Sequence, residues 1–324
     1  MSKLSEITKP IESELSKFNE LFKASMKSKV GLVDLIARYI IRQKGKKIRP
    51  LLVLLSAKVT GGVNERTYRG AVLVELLHTA TLVHDDVVDN ADKRRNFWSV
   101  NKIFKNKAAV LMGDYLLSRG LMIAVDGKDY DFLGVITNTV KRMSEGELLQ
   151  IQKTRKLDID EETYFKVISD KTASLLETCC QIGAMSATDN PEYLEAMRKF
   201  GESIGIAFQI RDDILDYEGK AKLIGKPVGG DIKEKKITLP LIYSLNQVSN
   251  GEASSIRKMI KNGHIKQNLN DIMEFVRKNK GIDYSLSKAH YYSSQAKEAL
   301  KVIPDSPGKL ALEALVDFVI ERKN

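Results

Sequence analysis

The strongest constraint on this chain is a period. From residue 30 onward, apolar side chains recur three and four positions apart, and no stretch alternates apolar with polar as a half-buried strand would. That spacing keeps one stripe of a helix apolar, so the sequence predicts helix after helix. Proline, which interrupts such runs, occurs only 7 times. Turn-forming residues collect at 43–46, 61–62, 89–98, 126–127, 158–160, 189–191, 219–230 and 262–263, which are the expected breaks. The 324 residues exceed the usual domain length of ~150. With neither a low-complexity linker nor a solenoid period, one all-α domain over 1–324 is the expected architecture.

Two segments are apolar nearly all round, Ala71 to His84 and Ala108 to Leu117. A helix without a polar stripe is enclosed by other helices, so these belong in the middle of a bundle. The apolar stretches are interrupted by Glu75, His78, Asp114 and Arg119, short of the ~20 residues a membrane span needs, and no transmembrane helix is expected. The first thirty residues lack the apolar run of ~7–15 residues that a signal peptide requires. The only cysteines, Cys179 and Cys180, are adjacent, which excludes a disulfide scaffold and suits a reducing, cytoplasmic compartment.

A net charge of +10 fits nucleic acid, an anionic membrane surface or small anionic substrates. The basic residues are scattered and often lie beside acids, as at Glu234-Lys235-Lys236, which marks a solvated face. A basic helical nucleic-acid-binding protein is the non-enzyme alternative. It calls for stacking aromatics on a basic face, and none are interleaved.

The chemistry lies in two acidic clusters. Asp85-Asp86-Val87-Val88-Asp89 ends the first apolar segment, and helical spacing puts Asp85 and Asp89 on one face, one turn apart. Like charges there repel, and the helix C-terminus adds its own negative potential, so a cation is the simplest remedy. One or two carboxylates, with water and phosphate completing the shell, is how Mg2+ is usually held. A solvated acidic loop is the plain alternative for a single motif. The same spacing recurs at Asp212-Asp213-Ile214-Leu215-Asp216, again on an apolar segment. Two such clusters facing each other across a cavity would hold several Mg2+ ions around a diphosphate.

Cations complement the acids. Arg94 and Arg95 follow the first cluster, Lys226 and Lys236 follow the second, and Lys171-Thr172 lies between. Arginine forks and lysine point charges both suit phosphate oxygens. Lys46 and Arg49 form a separate basic group before Pro50, which is placed to open a helix with an anion-binding N-terminus. His78 is two turns before Asp85 on roughly the same face, where it is either a satisfied core histidine or a donor to that second anion.

Together these residues resemble the trans-polyprenyl diphosphate synthases, over nearly the whole chain from about residue 30. Asn106 to Leu117, Gly146-Glu147 with Gln150, and Gly225 to Asp231 extend the likeness. The resemblance implies an all-α bundle around a deep central cavity, a homodimer, and head-to-tail condensation of isopentenyl diphosphate with an allylic diphosphate, using three Mg2+ ions. It assigns Lys46, Arg49, His78 and Arg95 to isopentenyl diphosphate. Asp85, Asp89 and Asp212 would ligate Mg2+, with Asp86, Asp213 and Asp216 assisting. Arg94, Lys171, Lys226 and Lys236 would hold the allylic diphosphate, with Thr172 and Gln209 beside the developing carbocation. A terpene cyclase would leave Lys46 and Arg49 idle, and a non-catalytic partner subunit would lack the aspartates. Departures from the family pattern lie in loops, at Lys44-Gly45, Asn96-Phe97-Trp98 and Lys235.

Ala80 and Thr81, one turn below Asp85, are small where short-chain relatives place bulky rings. The expected product is therefore medium to long, about C35–C45 by family analogy, against a shorter farnesyl- or geranylgeranyl-type alternative. Met112, Leu116 or Met122 would form the floor of the tunnel. Such a product suits a quinone side chain and would leave through transient contact with a membrane surface.

Overall fold

A computed structural model describes residues 3–43, 45–94, 97–218, 229–261 and 265–321. The chain forms two compact units, Met1–Asn138 with Thr178–Arg198 and Val302–Leu312, and Thr139–Glu177 with Lys199–Lys301 and Glu313–Asn324. Lys44, Arg95, Asn96, Gly225 and Lys226 lie outside the described residues, so the readings placed on them are not met by any geometry.

The predicted all-α class is what the structure has. Its helices are α1 (Lys3–Thr8), α2 (Glu12–Ser25), α3 (Gly31–Arg42), α4 (Ile48–Thr60), α5 (Glu65–Val88), α6 (Val100–Asp126), α7 (Tyr130–Lys156) and α8 (Glu161–Ile168). They continue as α9 (Ser174–Ala187), α10 (Pro191–Tyr217), α11 (Gly230–Lys233), α12 (Leu239–Asn246), α13 (Asn250–Lys261), α14 (Ile265–Lys278), α15 (Gly281–Ala299) and α16 (Pro307–Glu321). The only strands among the described residues are two-residue pieces, β1 (Lys93–Arg94) and β2 (Phe97–Trp98), paired antiparallel.

In the first unit, α5 starts with a capping box. Asn64 Oδ1 accepts from Thr67 N at 3.0 Å, and Thr67 Oγ1 accepts from Asn64 N at 3.1 Å. As its apolar circumference predicts, α5 is buried along most of its length, including Leu73, Val74, Leu76 and Leu77. It ends in a Schellman motif. Asn90 takes the left-handed conformation at φ 50°, Ala91 N donates to Asp86 O, and Asn90 N donates to Val87 O. The first acidic cluster is thereby fixed on the last helical turn. Cys179 and Cys180 are buried and unbridged, and burial pushes the Cys179 thiol well up.

The second apolar segment lies in α6, which is interrupted at Lys105, where φ is 71°. By length and composition α6 matches a bilayer span, a test that core helices of globular proteins also pass, and 33% of its most apolar window is buried. It leaves Ile103, Val110, Leu111, Met122 and Val125 exposed, so Met122 is not an interior floor, whereas Met112 and Leu116 are buried.

In the second unit, Ile210, Ile214 and Tyr217 of α10 pack with Leu239, Leu241 and Ile272. Each such side chain taken from water contributes about 1.5–3 kcal/mol. A five-residue π-helix, Ser169–Ala173, joins α8 to α9.

Candidate functional site

The second unit encloses a cavity of about 370 Å³ whose walls include Lys171, Thr172, Gln209, Asp212, Asp216 and Lys236. With Asp213, seven residues assigned from sequence are thus brought to one place. Lys171 and Thr172 stand on the π-helix, where the wider turn shifts side-chain directions relative to a regular helix. Two glycines make room for it. A Cβ on Gly205 of α10 would sit 2.6 Å from Ala173 Cα, and one on Gly146 of α7 would sit 3.1 Å from Lys171 N. The close approach of α7 lets Gln150 Oε1 accept from Lys171 Nζ at 2.7 Å, while Glu147 pairs with the same ammonium.

The π-helix is also held by Arg142, which sequence reading missed. Its guanidinium donates to Asp170 at 2.9 Å, Glu177 at 2.7 Å and Ser169 Oγ at 3.2 Å. No local signal could have revealed it, because these partners lie 27 to 35 positions away.

Within the second cluster the aspartates divide. Asp212 and Asp216 are half-buried along the cavity. Asp216 Oδ1 and Oδ2 accept the backbone amides of Gly230 at 2.9 Å and Asp231 at 3.0 Å, which anchors the start of α11. Asp213, one position on and so about 100° around the helix, turns inward. Its carboxylate accepts from Tyr164 Oη at 2.6 Å and Gln209 Nε2 at 2.7 Å. Burial drives Asp213 well above the usual carboxylate range; the Asp231 charge adds to this, and the two hydrogen bonds oppose it. Tyr164 is likewise pushed up, by burial and then by the Asp213 charge. Asp213, expected from sequence to assist the metal ligands, has both its oxygens on protein donors.

The first cluster, in the other unit, divides the same way. Asp85 and Asp89 are exposed, and Asp86 is buried. Arg94 Nε donates to Asp86 Oδ1 at 2.8 Å, so the arginine assigned to a diphosphate is engaged by the residue assigned to a metal. Burial raises Asp86 above its ordinary value against the pull of Arg94. His78 is 8% exposed and Ala80 is 2% exposed. Thr81 is half-buried and donates to His78 O at 2.9 Å. Of the basic group, Lys46 is exposed and Arg49 half-buried. Between them, Lys47 takes the left-handed conformation that starts α4 and pairs with Asn19.

Among the described residues, no three His, Cys, Asp or Glu side chains converge closely enough to make a closed metal site. Carboxylate pairs one turn apart, as at Asp85/Asp89 and Asp212/Asp216, instead offer oxygen-only donors in the number Mg2+ takes when phosphate and water complete its octahedron. The donor set fits that ion. Lys236 is paired with Glu234 at 2.5 Å, so Lys171 and Lys236 of the cavity wall both stand against carboxylates.

Residues 31–277 match the family model described as Polyprenyl synthetase. The chain is 33% identical over 322 residues to the octaprenyl diphosphate synthase of Escherichia coli strain K12, covering 99% of each. A decaprenyl diphosphate synthase structure from Rhodobacter capsulatus superposes with TM-score 0.92 at 31% identity, over 99% of both chains. A polyprenyl synthase from Caulobacter crescentus CB15, complexed with calcium and isoprenyl diphosphate, gives TM-score 0.91 at 31% identity, over 99% of this chain and 98% of that one. Its acidic repeats, its helical fold and the full-length match make this chain a member of the polyprenyl synthetase family.

Proposed function

We propose that the chain is a trans-prenyltransferase that condenses isopentenyl diphosphate with an allylic diphosphate to give a long-chain polyprenyl diphosphate. The observation that carries this reading is the composition of the cavity wall. Five acids, among them Asp212 and Asp216, three lysines including Lys171 and Lys236, and the neutral pair Thr172–Gln209 share it with apolar Val167, Ile168 and Ile237.

Each part has a task. Asp85, Asp89 and Asp212 hold Mg2+, and Asp216 supports Asp212 by fixing α11. The bound ion supplies Lewis-acid neutralisation of the charge that builds on the departing diphosphate. Lys171, Lys236, Lys226 and Arg94 bind the allylic diphosphate oxygens, while Lys46, Arg49, His78 and Arg95 bind isopentenyl diphosphate. As the allylic C–O bond breaks, the oxygens of Thr172 and Gln209 offer lone pairs to the cation without forming a bond to it. The apolar wall keeps water away, so the isopentenyl double bond attacks instead, and a proton then leaves to the released diphosphate.

Small, half-buried Thr81 and buried Ala80 leave the growing chain a passage, with Met112 or Leu116 at its floor and a product near C35–C45. The exposed apolar face of α6 suits a second copy of the chain, giving a homodimer of single-domain protomers. The product suits a quinone side chain, released at a membrane surface from a cytoplasmic enzyme. Incubation with isopentenyl and farnesyl diphosphates and Mg2+, followed by chromatography, should yield a long-chain product; no elongation would refute the activity. Ala80→Phe should shift that product several isoprene units shorter, and an unchanged length would remove Ala80 from the tunnel.

A further inference from the structure

Four cavity-lining side chains form one run of hydrogen bonds. Tyr164 Oη donates to Asp213 Oδ2, Gln209 Nε2 donates to Asp213 Oδ1, and Thr172 Oγ1 donates to Gln209 Oε1 at 2.9 Å. The direction of the run follows from what each group can do. Gln209 Nε2 donates to Asp213 Oδ1, so the amide nitrogen of Gln209 faces Asp213 and its carbonyl faces away. A carbonyl only accepts, so Thr172 gives it its single proton and keeps oxygen lone pairs for its other sides. Tyr164, 3% exposed, occupies the remaining oxygen of Asp213, itself 4% exposed. The carboxylate is thus held from two directions in a place closed to bulk water.

A primary amide has two orientations of nearly equal shape. Turned over, Gln209 would present its NH2 to Thr172, which would then accept and point its own proton elsewhere, including into the cavity. A proton aimed at a developing cation raises its energy, whereas a lone pair lowers it.

We propose that Asp213, steadied by Tyr164, is a positioning residue that sets the orientation of Gln209 and through it the lone pairs of Thr172 that face the allylic cation. This rests on the reading of the cavity as an allylic diphosphate site. It gives Asp213 a task separate from the metal-holding one that its place in the acidic motif implies.

The test is a double-mutant cycle in steady-state kinetics with farnesyl diphosphate, isopentenyl diphosphate and Mg2+. Asp213→Asn keeps the shape but can donate to Gln209 and reverse the run. It should lower kcat about 10²-fold, as for the loss of other preorganised dipoles. KM for both substrates and the Mg2+ concentration for half-maximal rate should stay within about twofold. In a Thr172→Val background, which has no hydroxyl left to orient, the same change should cost only about twofold, because the two residues act as a unit. Thr172→Ser restores the hydroxyl and should restore the full sensitivity to Asp213→Asn. Tyr164→Phe leaves the Gln209 bond in place and gives a second cycle should Asp213→Asn fold poorly, with a loss of about 3- to 10-fold that also shrinks beside Thr172→Val. Multiplicative losses in these cycles, or a raised Mg2+ requirement for Asp213→Asn, overturn the positioning role while leaving the activity intact. A wild-type enzyme without prenyl transfer overturns the reading of the cavity and this inference together.

Discussion

Two stretches of this chain carry the same Asp-Asp-x-x-Asp spacing, and in both the middle aspartate parts company with its neighbours. At the end of α5, Asp85 and Asp89 are exposed while Asp86 is buried against Arg94. Late in α10, Asp212 and Asp216 line the cavity while Asp213 is buried beneath Tyr164 and Gln209. The shared part is helix geometry: positions one and five stack on one face, and position two lies about 100° away. The difference is the partner. A cation meets Asp86, and two neutral donors meet Asp213. The first arrangement ties the end of α5 to the β1–β2 hairpin through Arg94 and, by a 3.1 Å bond from Asn101 Nδ2 to Asp86 O, to α6. The second orients dipoles at a cavity wall. Identical spacing therefore specifies which acids can share an ion, and the surroundings decide what the remaining one does.

The comparison breaks first on activity. Asp85→Asn and Asp212→Asn should each lower kcat by about 10²–10³-fold, the scale of losing charge stabilisation at a leaving group. Chelation of Mg2+ should abolish turnover, and its return should restore it. Asp86→Asn, whose carboxylate is engaged by Arg94, should cost no more than about 10-fold. Product formation at saturating substrate checks this, and equal losses at Asp85 and Asp86 would end the distinction between outer and middle acids.

Stability sharpens it next. Asp213→Ala strands two buried donors, at about 1–3 kcal/mol each. Asp86→Ala strands one arginine whose side chain is 29% exposed, so hydration recovers part of the loss and about 1–2 kcal/mol is expected. Urea unfolding of both variants measures the difference. A larger cost at Asp86 would show that the charge pair, and not the neutral network, is the tighter of the two.

How far the sequence carried these conclusions depends on the range of the interactions. The helices, their breaks and the paired faces of both clusters follow from spacing within a few residues, which is where periodicity has its information. The lining of the cavity by Lys171, Thr172 and Gln209 came from family likeness, and the structure gives it a local cause in the π-helix. An inserted residue leaves no mark on a 3.6-residue pattern, so the π-helix was invisible. The tasks of Arg142 and Tyr164 were also hidden, since their partners lie 27 to 49 positions away. The inward turn of Asp86 and Asp213 was legible in principle, because position two of the motif is off the face of positions one and five. The resemblance set both apart only as acids assisting the metal, with no mark of their burial.

A pair outside both clusters supplies the smallest effect and a control for general electrostatics. Lys58 Nζ donates to Glu14 Oε1 at 2.5 Å, linking α4 to α2. The Glu14 side chain is 15% exposed and that of Lys58 40%. Burial draws the Glu14 carboxyl up, but the hydrogen bonds from Lys58 and Ser13 outweigh it and hold the group below its ordinary 4.5. A carboxyl depressed on folding adds stability that is complete above its unfolded value and is lost as pH falls through the folded one. Glu14→Gln should therefore cost less than about 1 kcal/mol at pH 7. The variant and the parent should converge in urea titrations as pH drops from about 4.5 through the depressed value. Because neither residue of this pair lines the cavity of the second unit or belongs to an acidic cluster, its loss should leave kcat unchanged at every pH tested. A kcat loss as large as that of Asp86→Asn would mean that the buried acids act through bulk charge, and not through the partners that distinguish them.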